Sequence, residues 1–273
     1  MEPTAYLKLS REWNHRDESP QTYQSRSAFQ LCFGEILYNG NAVERSVYPH
    51  AAYRRPNLTM NGQEMSTRHD AKVFCIGRNK TGTTSLGAVL KKAGFLLGNQ
   101  AAGESLIYDW GAGRFDRIVD LCKSAQAFQD IPFSLPKTFE VLDASFPGSR
   151  FILSVRKNAD EWYGSVIRFH TKIVGKGRVP TPEDLKNFGY RHRGWIWNNM
   201  KLVYGIDENT LYDERIYKQH YDQHNEQVIE HFRQRPDDLL VVNLSDEQAE
   251  CRLGTFLGLS NFEGLLPHLN RTR

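Results

Sequence analysis

From residue 72 onward, short unbroken apolar runs alternate with longer segments whose apolar residues recur every three or four positions. The runs Val73–Ile76, Ala127–Phe128, Phe151–Val155 and Leu239–Leu244 lack polar alternation, the pattern of strands buried on both faces. Between them, Leu86–Leu97, Phe115–Lys123, Lys137–Phe146 and about 159–170 carry helical spacing, with Pro147-Gly148 closing the third. Tyr217, Tyr221, His224, Val228 and Phe232 share a helix face that Pro236 ends. Strands and helices in this order predict an α/β fold: a central parallel sheet covered by helices on both faces, with the ligand at the carboxyl ends of the strands. Residues 171–210 read as less regular, apart from a helix start at Thr181-Pro182-Glu183-Asp184, with Thr as cap and Pro in the first turn.

Residues 1–70 are different in kind, polar and rich in Arg, Tyr, Ser and Asn, which sets a boundary between an extension (1–70) and the α/β domain (71–273). Alternation at Phe29, Leu31 and Phe33, the turn signal Tyr38-Asn39-Gly40-Asn41 and renewed alternation at Val43 and Val47 predict a β-hairpin there. The extension reads as an ordered decoration in preference to a cap over the site.

Composition narrows the class. With 273 residues, 40% hydrophobic and 25% charged, the bulk is globular, and a net charge of +3 gives no footprint for nucleic acid. No apolar run approaches the ~20 residues of a bilayer span, and the N-terminus lacks a signal-peptide core, so a cytoplasmic location is expected. Cys32, Cys75, Cys122 and Cys251 have no paired spacing and read as free thiols.

The chemistry concentrates between Lys72 and Leu86. A strand runs into Gly77-Arg78-Asn79-Lys80-Thr81-Gly82, which opens through Thr83, Thr84 and Ser85 into a helix. Unpaired N–H groups of a first helical turn, the helix dipole and a lysine form an anion cradle. A nucleoside-triphosphatase loop needs its lysine directly after the second glycine, whereas Thr83 follows Gly82 and Lys80 precedes it. No apolar strand ends in a magnesium-binding Asp either, since Phe151–Val155 meets Arg156 and Leu239–Val242 meets Asn243.

Arg156, directly after a strand, and Ser165, nine residues on, can clamp a second phosphate; alone they also fit a salt-bridged arginine and an exposed serine. Asp130, at another strand end before Ile131-Pro132, reads equally as a general base or as a cap on the turn. His220 and His224 imitate a metal pair but lack a third ligand, and no metal is expected. Tyr190, Trp195 and Trp197, near Arg191 and Arg193, belong to core or lid, or to an acceptor pocket.

Gly77-Arg78-Asn79-Lys80-Thr81-Gly82-Thr83-Thr84-Ser85 resembles the 5′-phosphosulfate loop of sulfotransferases that use 3′-phosphoadenosine 5′-phosphosulfate (PAPS), with Lys80 in the place of their lysine. Phe146–Ser165 resembles the strand and helix of their 3′-phosphate site, which implies Arg156 and Ser165 as ligands. The likeness runs over residues 72–270, in the manner of the bacterial and invertebrate branch; there Asp130 stands where cytosolic members carry a catalytic histidine before Leu-Pro, which implies Asp130 as base. Two features depart from it. The Arg156–Ser165 interval is nine where many members have eight, and the Arg-Lys-Gly loop for the 3′-phosphate is absent, with Asn270, Arg271 and Arg273 in its stead.

The resemblance implies a P-loop-like three-layer fold and transfer of a sulfuryl group from PAPS to a hydroxyl, or an amine, of a small-molecule acceptor. Lys80 and Asp130 would be catalytic, and Arg78 to Ser85, Arg156, Ser165, Asn270 and Arg271 would bind the donor. Asp130, Tyr190, Trp195 and Trp197 would meet the acceptor. A nucleotide kinase of the P-loop kind and a non-catalytic nucleotide-binding module are the alternatives.

Overall fold

The computed structural model describes residues 71–259, with 264 and 266. The hairpin expected around 38–41 and the candidate ligands Asn270 and Arg271 lie outside the described residues. Strands β1 (Val73–Cys75), β2 (Ala127–Gln129), β3 (Arg150–Val155) and β4 (Leu239–Asn243) form one sheet in the order β2-β1-β3-β4, and every pairing is parallel.

Helix α1 is Thr83–Lys92, followed by α2 (Gln100–Ser105), α3 (Ile107–Gly111) and α4 (Asp116–Cys122) between β1 and β2. Helix α5 (Thr138–Ser145) joins β2 to β3. Then come α6 (Ala159–Ile173), α7 (Pro182–Asn187), α8 (Trp195–Tyr204) and α9 (Glu214–His231) before β4, with α10 (Ala249–Leu257) after it.

Side-chain alternation along the strands sorts the helices into two layers. Val73 and Cys75, with Ala127, Ile152, Leu240 and Val242, point to the face covered by Leu86 and Leu90 of α1 and Leu253 and Leu257 of α10. Phe74, Phe128, Phe151 and Leu153 point the other way, against Phe139, Trp162, Tyr221 and Val228 of α5, α6 and α9 and Phe232 just after α9. Register places Phe128, Phe74 and Phe151 side by side across three strands, with ring centroids 5.7 and 5.5 Å apart, and Phe232 lies 4.7 Å from Phe151. Each such ring contributes roughly 1.5–3 kcal/mol by leaving water. This is the three-layer α/β sandwich expected from the apolar runs.

Element ends follow local chemistry. Helix α1 starts three residues before Leu86 and stops at Lys92 rather than reaching Leu97, because Gly94 takes a left-handed φ of 89° that breaks the helix. The capping box at Thr181 and Asp184 forms as its residues require. Residues 171–210, read as less regular, instead hold α7 and α8. Helix α8 buries Trp195, Ile196, Trp197, Asn199, Met200 and Val203, leaving too narrow a polar face for periodicity to reveal it.

From β1 the chain moves outward to β2 and then returns past β1 to β3 on its other side. The loops leaving β1 and β3 therefore diverge, which opens a crevice at the carboxyl end of β1. Gly77 leads into that crevice against the neighbouring strand. A Cβ there would lie 2.3 Å from both the carbonyl oxygen and the hydroxyl of Ser154. Gly77→Ala should therefore cost at least about 1–3 kcal/mol, since backbone of β3 must move to admit it; equal urea midpoints for variant and parent would contradict this.

Candidate active site

The loop between β1 and α1 is built so that its carbonyls are held and its amides are not. His224 Nε2 bonds the Ile76 carbonyl at 2.8 Å, Thr81 Oγ1 donates to the Arg78 carbonyl at 2.6 Å, Trp162 Nε1 to that of Asn79 at 2.9 Å, and Arg156 Nε to that of Lys80 at 2.9 Å. Tyr221 stacks on Trp162 with centroids 4.7 Å apart, and its hydroxyl accepts the Arg156 backbone N–H at 2.9 Å. Backbone turned this way aims N–H groups into the crevice. Those of Gly82, Thr83, Thr84 and Ser85 have no partner among the described residues, and the first helical bond is Leu86 N–H to Gly82. The N–H of Thr81 is used within the loop, bonded to the Arg78 carbonyl at 3.2 Å. Left-handed φ values at Lys80 (71°) and Gly82 (103°) create the curvature.

Not every loop side chain faces the crevice. Arg78 is 1% exposed, and its guanidinium runs into the interior to the Ser134 carbonyl (2.7 Å) and Tyr204 hydroxyl (3.1 Å). Thr81 is buried against Ser154 Oγ at 2.6 Å. Thr84 is exposed at the helix start, Ser85 is buried, and Asn79 is partly exposed.

Lys80 does reach the site. Its ammonium sits over the Phe169 ring, 3.6 Å from the centroid. Burial pulls its pKa down to about 8; Arg156 pushes the same way, while Asp130 opposes. Arg156 meets Glu161 at 3.4 Å on the first turn of α6. Glu161, Ser165 and Phe169 recur at four-residue intervals, so they form one stripe of α6 facing the loop. Ser165 thus lies between the residue that pairs with Arg156 and the ring beneath Lys80. It is 4% exposed, and its hydroxyl makes no hydrogen bond to a described residue.

Asp130 follows β2 directly, across β1 from Arg156, with a left-handed φ of 63°. Its Oδ2 accepts from Thr83 Oγ1 at 3.0 Å and its Oδ1 from the Ile131 N–H at 2.9 Å. Burial pushes its pKa above the ordinary carboxylate range and Glu104 adds to this, against the two hydrogen bonds and Lys80. A bond within the turn and a carboxylate of raised proton affinity are thus present together.

Tyr190 is exposed and stands 5.3 Å from Trp195, ring to ring. Trp195 and Trp197 are both buried, so they support this surface from the core. His224 donates to the loop and is pushed down to about 3 by burial, which keeps it neutral. His220 packs edge-on against Tyr204, so the two histidines brace the loop from behind. Among the described residues no helix is long and apolar enough to cross a membrane.

A sulfotransferase-domain family model matches residues 72–273, spanning the sheet and every residue of this site. The chain belongs to the sulfotransferase family. Comparison with curated proteins returns no match. This sulfotransferase is therefore an enzyme that transfers sulfuryl groups, on the parallel α/β scaffold described above.

Sequence reasoning missed Trp162, Tyr221, Phe169 and Glu104. A Trp and a Tyr on two helical stripes were visible, but nothing local said that they grip the loop. Because Thr83 stabilises the ionised form of Asp130, Thr83→Val should move the Asp130 titration to higher pH. Carboxyl-carbon NMR reads this directly, and an unchanged or lowered titration would contradict the assigned bond.

Proposed function

We propose that the enzyme moves a sulfuryl group from PAPS to a hydroxyl, or an amine, of a small-molecule acceptor, with residues 71–273 as its catalytic domain. One observation carries the reading: at the carboxyl ends of β1 and β3, amides of the α1 first turn and a Lys80 ammonium with no bonded carboxylate among the described residues stand with a half-buried arginine and a serine hydroxyl that has no partner among those residues. Two separate anion-binding corners on one ligand fit a phosphosulfate and a second phosphate.

Bound there, PAPS would supply the activated sulfuryl group. Lys80 and the amides of Gly82, Thr83, Thr84 and Ser85 hold the 5′ anionic end, and the Lys80 ammonium neutralises charge on the leaving oxygen. Arg156 and Ser165 hold the 3′-phosphate. Arg156 does so while its Nε fixes the Lys80 carbonyl, so one side chain links both corners. Asp130 takes the acceptor proton, its carboxyl oriented by Thr83 and Ile131. Tyr190 and the surface backed by Trp195 face the acceptor. Free thiols at buried Cys75 and Cys122 suit a reducing, cytoplasmic setting.

Calorimetry with adenosine 3′,5′-bisphosphate against ADP tests the donor. Tight binding of the bisphosphate alone is expected, and equal or absent binding would sink the proposal. The sign of its pH dependence follows from Lys80. In the free protein Lys80 loses its proton above about pH 8, and the anion needs the charged form. Affinity should therefore fall as pH rises through that value, and binding near pH 8 should take up a proton, seen as a dependence of the heat on buffer ionisation enthalpy.

Lys80→Ala and Arg156→Ala should each weaken bisphosphate binding by at least tenfold, about 1.4 kcal/mol or more. Asp130→Asn should keep that affinity and lose about 10²–10⁴ in turnover. Full activity in Asp130→Asn would remove it as the base.

A further inference from the structure

Glu104 lies on α2, a helix that no motif marks, and is 5% exposed. Both carboxylate oxygens are engaged. Oε1 accepts from Gln100 Nε2 at 3.0 Å and from the Tyr190 hydroxyl at 3.4 Å, and Oε2 is ion-paired with Arg191 Nε. The chain of bonds continues inward, because Gln129 Nε2 donates to Gln100 Oε1 at 3.0 Å, and Gln129 is the residue before Asp130.

Backbone packing reinforces the link. A Cβ on Gly103, next to Glu104, would lie 3.1 Å from the Ile131 carbonyl and 3.4 Å from Pro132 and Phe133. Helix α2 is thus seated on the turn that carries Asp130, while its Glu104 holds the Tyr190–Arg191 segment. A buried carboxylate has been placed between the base and the acceptor-side surface, fastened from both directions.

We propose that Glu104 is a positioning residue for the base: a fixed second carboxylate that, through Gln100 and Gln129 on one side and Tyr190 and Arg191 on the other, ties the Asp130 turn to the Tyr190–Arg191 segment. The role rests on the reading of Asp130 as the base. Thr83 from α1 bonds Asp130, and Lys80 from the loop, Glu104 from α2 and Tyr190 lie near enough to couple to it electrostatically. Lys80 and Thr83 favour the anion, and Glu104 opposes them with like charge. Arg191 offsets that effect only in part: its side chain is 32% exposed against 6% for Glu104, so water screens the cation more than the anion.

A carboxylate that accepts a proton weakly makes a poor general base, so a neighbour that raises proton affinity serves turnover. Glu104→Gln keeps the shape and the acceptor oxygen for Arg191 but removes the charge. Glu104→Asp keeps the charge. In the full-length protein saturated with adenosine 3′,5′-bisphosphate, the Asp130 carboxyl carbon is titrated by NMR, assigned through Asp130→Asn. The Asp130 titration should move to lower pH in Glu104→Gln and stay near the parent value in Glu104→Asp.

Sulfuryl transfer to 2-naphthol is measured alongside. In Glu104→Gln the acid limb of kcat should move the same way, with plateau kcat down about two- to tenfold and bisphosphate affinity unchanged. An unmoved Asp130 titration in Glu104→Gln, or an equal movement in both variants, overturns the role of Glu104. A titration that moves while the rate limb stays put upholds the action of Glu104 on Asp130 and rejects Asp130 as the base.

Discussion

Everything at this site depends on how the peptides between Ile76 and Gly82 are turned. An anion cradle needs N–H groups pointing inward, so the matching carbonyls must find donors elsewhere. Here the donors come from three separate parts of the fold: His224 of α9, Trp162 of α6 and Arg156 at the end of β3, with Thr81 closing the loop on itself. Left-handed backbone at a lysine costs about 1–3 kcal/mol and persists only where the surroundings over-determine it. Four held carbonyls and the backbone contact at Gly77 supply that constraint.

The same construction concentrates positive charge. Arg78 is buried against two neutral acceptors, Lys80 rests on an aromatic face, and Arg156 is half-buried beside Glu161. Buried cations without full counter-charge are unfavourable in the free protein and are relieved by a polyanion. His224 and His220 both border Arg78, and burial together with that guanidinium keeps them neutral. They can therefore hold the loop without adding repulsion. A field fixed in advance of binding does not have to be reorganised when charge shifts during transfer.

Much of this was legible in the chain and some of it was not, for a physical reason. The loop spacing, Arg156 after its strand and Asp130 after another are local features, and adjacency to a strand end is enough to place them at the crevice. The tethers are not local. Trp162 and Asn79 are 83 positions apart, Tyr221 and Arg156 65, and His224 and Ile76 148, and only the packing of α6 and α9 on the sheet brings them together. Arg78 shows the converse: its sequence neighbours promise ligand contact, yet its long side chain follows the polar partners available in the interior. Helix α8 was hidden because burial on most sides erases the periodicity that announces a helix.

Topology assigns the partners their sides. β1 is central, so its loop is flanked by the end of β2, which carries Asp130, and the end of β3, which carries Arg156. Lys80 lies between them, under the influence of both. On the proposed reading the donor's second phosphate then belongs to the β3 side and the acceptor to the β2 side, with the reacting linkage at the lysine. A triphosphate loop places its lysine one residue after the second glycine, inside the helix, where it would point along the donor rather than across this divide. Three residues earlier, at the left-handed bend, Lys80 stands, on the proposed reading, where a proton acceptor on one strand and a phosphate clamp on the other act on opposite ends of a single transfer.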